Sequence, residues 1–300
     1  MFTKSTTLII PTKDRPKHLW KILNFIKTNR IIFKRILVVD SSSNFNRKKI
    51  YKYIDKFKLE FICTFPSTSH QRNIGLKKIK KSKFVMFLDD DIKFYRNSFQ
   101  KMDVGIKKFH NSTGYCFNII NKKRNSFLEF LKKSRIASIL NLYSNKKGVV
   151  LQSGWHTQFF NLNKSQHVEW MYSGATIFKF DKINNMKFKL NQYSYCYLED
   201  LDFTYSLFKK NLILTCISNA KILNDNISKR NSYMFGKVEI LNRFDFVKKF
   251  KLNKSLFFIT SLCKIILHIL EIFRLNFNIL PRVFGNCNAL FSCLITMFKK

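Results

Sequence analysis

The sequence lacks the short motifs that identify many nucleotide-binding and metal-binding proteins. Neither a G-x-G-x-x-G pattern nor a Walker sequence occurs in its 300 residues. The seven cysteines include no C-x-x-C pair, and no zinc-finger or RNP-type signature is present. These absences argue against a structural zinc site and against a disulfide framework. An odd, scattered set of cysteines is typical of a reduced, cytosolic compartment.

Acidic residues are also scarce, with 18 Asp and Glu against 55 Lys and Arg and a formal net charge of +37. Such a charge indicates nucleic acid, an anionic membrane surface or acidic substrates as partners. A compositionally biased genome would give the same excess, since Lys, Asn, Ile and Phe are all abundant. The lysines are spread over the whole chain, which argues against a dedicated nucleic-acid arm. A hydrophobic content of 46% with 33 Phe excludes disorder.

Long hydrophobic runs are missing at both ends of the chain. Pro11 and Asp14 interrupt the N-terminus before a signal-length apolar segment forms, so we expect no secretory signal. Within residues 251–300, no charge-free run reaches the roughly 18 residues of a spanning helix. This pattern favours amphipathic helices lying in a membrane interface. A helical cap packed on the main domain is the alternative.

The most informative stretch present is an apolar run that ends in consecutive carboxylates. Residues 84–88 are aromatic and β-branched, which predicts a short buried strand, and Asp89, Asp90 and Asp91 follow at once. Three adjacent acids repel one another unless a hard cation with a phosphate-bearing ligand lies among them. The alternative is a solvated acidic turn. The pattern therefore favours metal and nucleotide chemistry.

Strand and helix patterns alternate along the first 120 residues. In order, they predict strand 7–10, helix 18–27, strand 35–40, helix 47–57, strand 59–64, helix 70–81, strand 84–88, helix 99–109 and strand 114–120. This alternation predicts a mostly parallel sheet with helices on both faces. Because ligands bind beyond the carboxyl ends of such strands, Asp14, Asp40 and Asp89–Asp91 should meet at one edge. Residues 121–167 show no assignable pattern. A strand after residue 174 and a helix opening at residues 199–202 follow.

Six motifs occur in a specific order between residues 7 and 210. They are Leu8–Pro16, Leu37–Ser43, Gln71–Leu76, Phe87–Asp91, Trp170–Gly174 and Glu199–Asp202. In this order they resemble the family 2 glycosyltransferases, which are inverting nucleotide-sugar enzymes. The resemblance implies a GT-A-type, Rossmann-like α/β/α sandwich with a mixed, mostly parallel sheet, followed here by C-terminal amphipathic helices.

The resemblance also implies a site for the donor nucleotide. Asp40 would accept hydrogen bonds from the base edge, beside a loop that contains Pro11, Thr12 and Asp14. Arg72 would help to hold the nucleotide or its phosphates.

The family's D-x-D element corresponds to Asp89 and Asp91. Asp91 would contact Mn²⁺ or Mg²⁺ directly, and Asp89 would face the ribose or the metal's water shell. Asp90, between them, would touch the ribose or the sugar. Many metal-dependent relatives have a histidine about two dozen residues after the base as a third ligand, and here that stretch has Asn224 and Asp225 instead. Either residue, or water, would have to substitute.

The remaining motifs imply the acceptor side and the catalytic base. Asp200, in the Glu199–Asp200 pair, would take the proton of the acceptor hydroxyl during in-line displacement. Both acids are also explained as helix caps that need no catalytic function. Trp170 would stack on a sugar face, and the turn at Ser173 and Gly174 would admit close approach of the acceptor.

We therefore predict an inverting glycosyltransferase that acts in cell-surface polysaccharide synthesis. Its donor would be a UDP- or dTDP-sugar, and its acceptor a glycan or a lipid-linked molecule. Residues 1–250 would form the GT-A domain, with nucleotide-binding and acceptor halves at 1–100 and 101–250, and residues 251–300 a membrane-interfacial tail. The protein would be cytoplasmic, peripheral at the inner face of the membrane.

Three alternatives remain. A sugar nucleotidylyltransferase would need a glycine-rich loop after the first strand, and residues 11–16 contain no glycine. A basic nucleic-acid-binding protein would follow from the charge, although we expect only salt-sensitive binding without specificity. A catalytically inactive scaffold of the same fold is the third, and the intact acidic motifs argue against it.

Overall fold

The computed structural model describes residues 1–43, 59–120, 135–190, 197–224, 232–273 and 276–298. These residues form two compact units. Unit 1 comprises the described parts of Met1–Asn121 and Phe159–Asn226, and unit 2 those of Lys122–Gln158 and Ile227–Lys300. The predicted helix 47–57 lies outside the described residues. The two units do not divide at residue 250. The functional division into a GT-A domain of residues 1–250 and a tail of residues 251–300 stays a prediction.

The helices and strands of both units are numbered here in chain order. Up to the middle of the chain they are β1 Thr6–Thr12, α1 Pro16–Thr28, β2 Arg35–Asp40, β3 Glu60–Cys63, α2 Thr68–Lys77, β4 Phe84–Leu88, β5 Ile92–Phe94, α3 Ser98–Lys108, β6 Gly114–Ile119 and α4 Arg135–Ile139. The later ones are β7 Gln166–Val168, β8 Ala175–Lys179, α5 Phe180–Ile183, α6 Glu199–Phe208, β9 Leu214–Asn224, α7 Tyr233–Lys249, α8 Lys254–Phe273 and α9 Leu280–Phe298. Short 3₁₀ segments precede β1 and α9.

Unit 1 is built on a mixed sheet. Its described strands run in the order β3-β2-β1-β4-β8-β6-β9-β5, with β7 paired to β9. The block β3-β2-β1-β4 is parallel throughout, and β8 lies antiparallel between β4 and β6. Together with the helices, this confirms the predicted GT-A-type α/β architecture.

The parallel block places several chain segments at one edge. β1 is in register with β2 up to the pair Thr12 and Asp40, whereas its pairing with β4 ends at Ile9 and Phe87. Pro11 therefore lies past the end of β4, where its missing N–H costs no hydrogen bond with that strand. All five residues of β4 are buried. The acids that follow β4 consequently start at the rim of a packed core.

Unit 2 contains α4, α7, α8 and α9. Its core includes Trp155, Phe244 and Phe257, which pack with apolar residues of α8 and α9. Arg282 of α9 forms a two-pronged ion pair with Glu239 of α7, at 2.9 and 3.0 Å. Where α7 and α9 cross, a Cβ on Gly285 would lie 2.1 Å from the backbone oxygen of Tyr233. Only glycine allows the two helix backbones to approach this closely.

Two segments of unit 2 are long and apolar enough to cross a bilayer, within the part of the chain that is described. They are Lys254–Phe273 and Phe277–Met297. They qualify by length and composition alone, and the interfacial tail stays a prediction. Large apolar side chains are nevertheless exposed along both segments: Ile259, Leu262, Ile266, Ile269, Leu270, Phe273, Phe277, Leu280, Phe284, Phe291, Leu294, Ile295 and Met297. These residues are called the apolar face of unit 2 below.

Candidate functional site

The carboxyl ends of β1 and β2 are joined by hydrogen bonds of Ser42. Asp40 is fully buried, and its Oδ1 accepts hydrogen bonds from the backbone N–H of Ser42, at 3.1 Å, and from the Ser42 hydroxyl. The Ser42 Oγ accepts one from the backbone N–H of Asp14 at 2.6 Å, and Asp14 Oδ1 accepts one from the Ser43 N–H at 2.9 Å. The structure thus brings Asp14 and Asp40 together. Their predicted contact with a nucleotide stays a prediction.

Asp90 joins the end of β1 to the segment that follows β4. Its side chain is buried, and its Oδ2 accepts a hydrogen bond of 2.6 Å from the Thr12 hydroxyl. Burial raises the pKa of Asp90 to about 6, although the Thr12 hydrogen bond and the charge of Arg15 act in the opposite direction. The predicted contact of Asp90 with ribose or sugar stays a prediction.

Arg15 is a site residue to which sequence reasoning gave no role. Its Nη1 lies 2.9 Å from Asp91 Oδ2 and 3.3 Å from Asp90 Oδ1. The residue lies in the short loop between β1 and α1, directly before the proline that begins α1. A basic residue in a loop that follows a strand end was the available signal, because neighbouring strand ends meet at one edge.

Arg72, on α2, links the two acidic motifs of the chain. Its side chain is 3% exposed; Nη2 lies 2.9 Å from Asp89 Oδ1, and Nη1 lies 3.3 Å from Glu199 Oε1. The guanidinium also lies over the Phe188 ring, 5.4 Å from its centroid. The end of β4 and the start of α6 are therefore both held by polar contacts with the Arg72 guanidinium. This places Arg72 among the acids that the sequence predicted as site residues.

The two acids at the start of α6 have different surroundings. Glu199 is the first helical residue, after Leu198 in a left-handed conformation with φ 68°. Burial and then the charge of Asp200 raise the pKa of Glu199 to about 8, and the nearby Arg72 only partly offsets this. Asp200 is partly exposed, and its Oδ1 accepts a hydrogen bond of 2.8 Å from the backbone N–H of Leu201. These surroundings therefore favour the protonated form of Glu199 at neutral pH.

Gly174 provides the space that Asp89 occupies. Its backbone oxygen accepts a hydrogen bond of 2.8 Å from the N–H of Asp89, and a Cβ at this position would lie 2.9 Å from Asp89 Oδ2. Ser173, beside it, is buried. The predicted turn therefore borders the acidic cluster. Whether it contacts an acceptor stays a prediction.

Trp170 does not present a ring face to solvent, which corrects the expectation that it stacks on a sugar. It is 1% exposed, with the rings of Phe159 and Tyr172 at centroid distances of 5.2 and 4.5 Å. An aromatic residue in a motif is as well suited to a core as to a binding surface. Tyr172 and Phe160 are only half-buried and are stacked at 5.5 Å.

A pocket of about 290 Å³ lies beside the carboxyl ends of β1 and β4. It is lined by Pro11, Thr12, Lys13, Arg15, Thr68, Gln71, Asp89, Asp90 and Asp91. Gln71 holds β1 and β2 beside the pocket by donating hydrogen bonds to the backbone oxygens of Thr12 and Val39, at 2.8 and 2.7 Å. The pocket therefore combines acidic, basic and backbone groups, as a phosphate-bearing ligand with a cation requires.

The carboxylates of the pocket are the candidate ligands for a metal ion. No group of three or more His, Cys, Asp and Glu residues is arranged to hold a metal in the described ranges. Asp89 and Asp91 nevertheless supply carboxylate oxygens, which suit Mg²⁺ and Mn²⁺, and these ions often bind one or two carboxylates plus substrate phosphates. The cationic Arg15 side chain already lies between the carboxylates of Asp90 and Asp91, which fits a site for a positive ion. The predicted substitute ligand Asp225 lies outside the described residues.

Comparisons with known proteins bear on the fold. The structure of S. aureus TarS residues 1–349 matches with a TM-score of 0.52 and 16% identity, over 86% of this chain and 69% of that chain. The chain has the GT-A glycosyltransferase fold. The same TarS segment in complex with UDP-GlcNAc matches this GT-A chain with a TM-score of 0.51 and 16% identity, over 82% of this chain and 71% of the other. No protein-family model and no curated protein matches the sequence.

Proposed function

We propose that the protein is a glycosyltransferase that moves a sugar from a nucleotide-diphosphate donor to a hydroxyl group. The two polar contacts of Arg72 carry this proposal, because they join Asp89, after β4, to Glu199, at the start of α6. A donor site and a base must lie this close together for the transfer of a sugar between two bound molecules. The GT-A fold and the complex of TarS with UDP-GlcNAc support a nucleotide-sugar donor.

The donor would lie in the 290 Å³ pocket. Asp91 and Asp89 would hold Mn²⁺ or Mg²⁺ there, and the bound ion would offset the charge of the diphosphate leaving group. Lys13 and Arg15 line the same pocket and supply positive charge toward the phosphates. Asp40 and the β1 loop would contact the base.

Asp200 would be the general base, and Glu199 a positioning residue. A base must be ionised to accept the hydroxyl proton, and the raised pKa of Glu199 keeps that residue protonated at neutral pH. Neutral Glu199 also adds no second negative charge beside Asp200. A single displacement assisted by one base would invert the configuration of the sugar.

We predict that the purified protein releases nucleotide from one member of a panel of nucleotide sugars in the presence of Mn²⁺. UDP-sugars and dTDP-sugars are the expected donors, and chelation of the metal should abolish the release. Asp91→Ala should weaken metal-dependent UDP binding by at least about tenfold in calorimetry, because a carboxylate ligand is lost. Release from no donor, with or without an added glycan acceptor, would contradict the proposed function.

We further propose that the acceptor is a glycan or a lipid-linked precursor of a cell-surface polysaccharide, and that unit 2 rests on the inner face of the membrane. The apolar face of unit 2 supports this location. The described residues of unit 2 also include eleven Lys and Arg against three acids, Glu239, Asp245 and Glu271. Exposed apolar groups among basic ones suit an anionic bilayer surface.

The location predicts binding to lipid vesicles through α9. Phe284 and Phe291 are 59% and 65% exposed. Each contributes about 1.5–3 kcal/mol when it leaves water, so Phe284→Glu with Phe291→Glu should reduce binding to anionic vesicles by two orders of magnitude or more, as measured by co-sedimentation. Val104→Glu, at a residue 66% exposed on α3, is the matched control and should change little. Equal losses in both variants would exclude the apolar face as the contact, and resistance to alkaline carbonate would indicate a spanning segment.

A further inference from the structure

Among the described residues in and beside the donor pocket, three acids are balanced by three cations before any ligand is present. Asp89, Asp90 and Asp91 line the pocket together with Lys13 and Arg15. Arg72 does not line it but forms an ion pair with Asp89. A divalent cation that enters alone would therefore leave the pocket with an excess of positive charge. A metal bound to a diphosphate adds no such excess, because the charges of the metal and the diphosphate cancel.

Within the described part of the chain, Arg15 is a cation that competes directly with a metal ion for the Asp90 and Asp91 carboxylates. Its Nη1 lies between Asp91 Oδ2, at 2.9 Å, and Asp90 Oδ1, at 3.3 Å. The Arg15 side chain is 47% exposed, in contrast to the 3% of Arg72. Because the arginine end of each pair is open to solvent, these contacts are weaker than those of a fully buried pair. The Asp91 carboxylate is therefore held by a cation that can leave.

We infer that Arg15 is an internal counter-ion that makes the binding of metal and of the nucleotide diphosphate depend on each other. This inference rests on the proposed function for the identity of the ligand. Without nucleotide, Arg15 occupies the Asp90 and Asp91 carboxylates and repels a free metal ion. With nucleotide, its planar guanidinium transfers to the phosphate oxygens, for which its geometry is suited, and the metal takes the place of Arg15 beside Asp91. Because such coupling is reciprocal, metal and nucleotide each increase the affinity for the other.

The test is a titration of the full-length protein with Mn²⁺ alone, followed by calorimetry or electron paramagnetic resonance. Removal of one positive charge a few ångströms from the carboxylates should make Arg15→Gln bind Mn²⁺ about tenfold more tightly than the wild type or better. The same variant should bind UDP more weakly at saturating Mn²⁺. Arg15→Lys retains the charge and should behave like the wild type toward Mn²⁺ alone.

Arg30→Gln is the matched control, since it removes the same charge from an exposed residue just after α1. It should leave the affinity for Mn²⁺ unchanged. An Arg15→Gln protein whose Mn²⁺ affinity equals that of the wild type overturns the inference, as does the absence of Mn²⁺ binding to either protein. If no nucleotide sugar reacts and Arg15→Gln still gains Mn²⁺ affinity, the proposed function fails and the counter-ion role survives. If transfer occurs without that gain, only the counter-ion role fails.

Discussion

Asp200→Asn is expected to reduce sugar transfer by about 10²- to 10⁴-fold and to leave donor binding unchanged. Asparagine has the shape of aspartate, and its side-chain oxygen can still accept the 2.8 Å hydrogen bond from the Leu201 N–H at the start of α6. It cannot accept the proton of an acceptor hydroxyl. The measurement is single-turnover transfer with the donor found in the screen, together with calorimetry of UDP and Mn²⁺ binding.

Glu199→Gln gives the sharpest comparison, because glutamine resembles the protonated form that a pKa of about 8 favours at neutral pH. Its amide oxygen can also accept the hydrogen bond that Arg72 Nη1 donates to Glu199 Oε1. The loss of transfer should therefore be much smaller than in Asp200→Asn. Transfer near the wild-type level in Asp200→Asn, or an equal loss in the two variants, would show that the base is another group.

Arg72→Met is expected to lower the free energy of unfolding by about 3 kcal/mol. Methionine can still pack on Phe188, but Asp89 and Glu199 lose the buried guanidinium that both contact. We place the loss at the lower end of the usual range for a broken buried pair, because the side chain of Asp89 is 35% exposed. Urea unfolding at neutral pH measures it, and binding of UDP with Mn²⁺ should be lost in the same protein.

Arg35→Met is the control for this variant, because Arg35 forms a two-pronged ion pair with Glu60 at the surface. Exposed pairs contribute between about 0 and 1 kcal/mol, so this variant should be destabilised far less. Comparable losses in the two proteins would mean that burial of Arg72 does not determine its contribution.

Sequence reasoning was most successful where one physical signal dominated. The predicted bounds of β2 and β4 agree with the structure, because each is a continuous apolar run in a buried strand, followed by or ending in an acid. β5 was missed because it has only three residues. β9 was missed because polar residues interrupt it, and its register with β6 shifts after Phe117. A bulge of this kind breaks the alternation by which a strand is recognised in sequence.

The site was predicted less completely than the fold. The acids after β4 and at the start of α6 could be singled out as candidates because they follow or begin regular segments. The burial of Trp170 could not, since its neighbours Phe159 and Tyr172 contact it only through tertiary packing. The pairing of Arg15 with Asp91 likewise depends on which strand ends are adjacent. Pairings between distant residues follow from strand order, which local patterns do not specify.

The position of β8 has a consequence for the order in which the protein folds during synthesis. β8 pairs with β4 along its whole length, and Gly174, just before it, receives the N–H of Asp89. The ribosome delivers β8 only after residues 122–158 of unit 2 have been made. Until then, the fully apolar β4 has an unpaired edge, and the N–H of Asp89 lacks the Gly174 oxygen as its acceptor. The parallel block β3-β2-β1-β4 therefore gains its last neighbour late, by long-range pairing that makes folding slow.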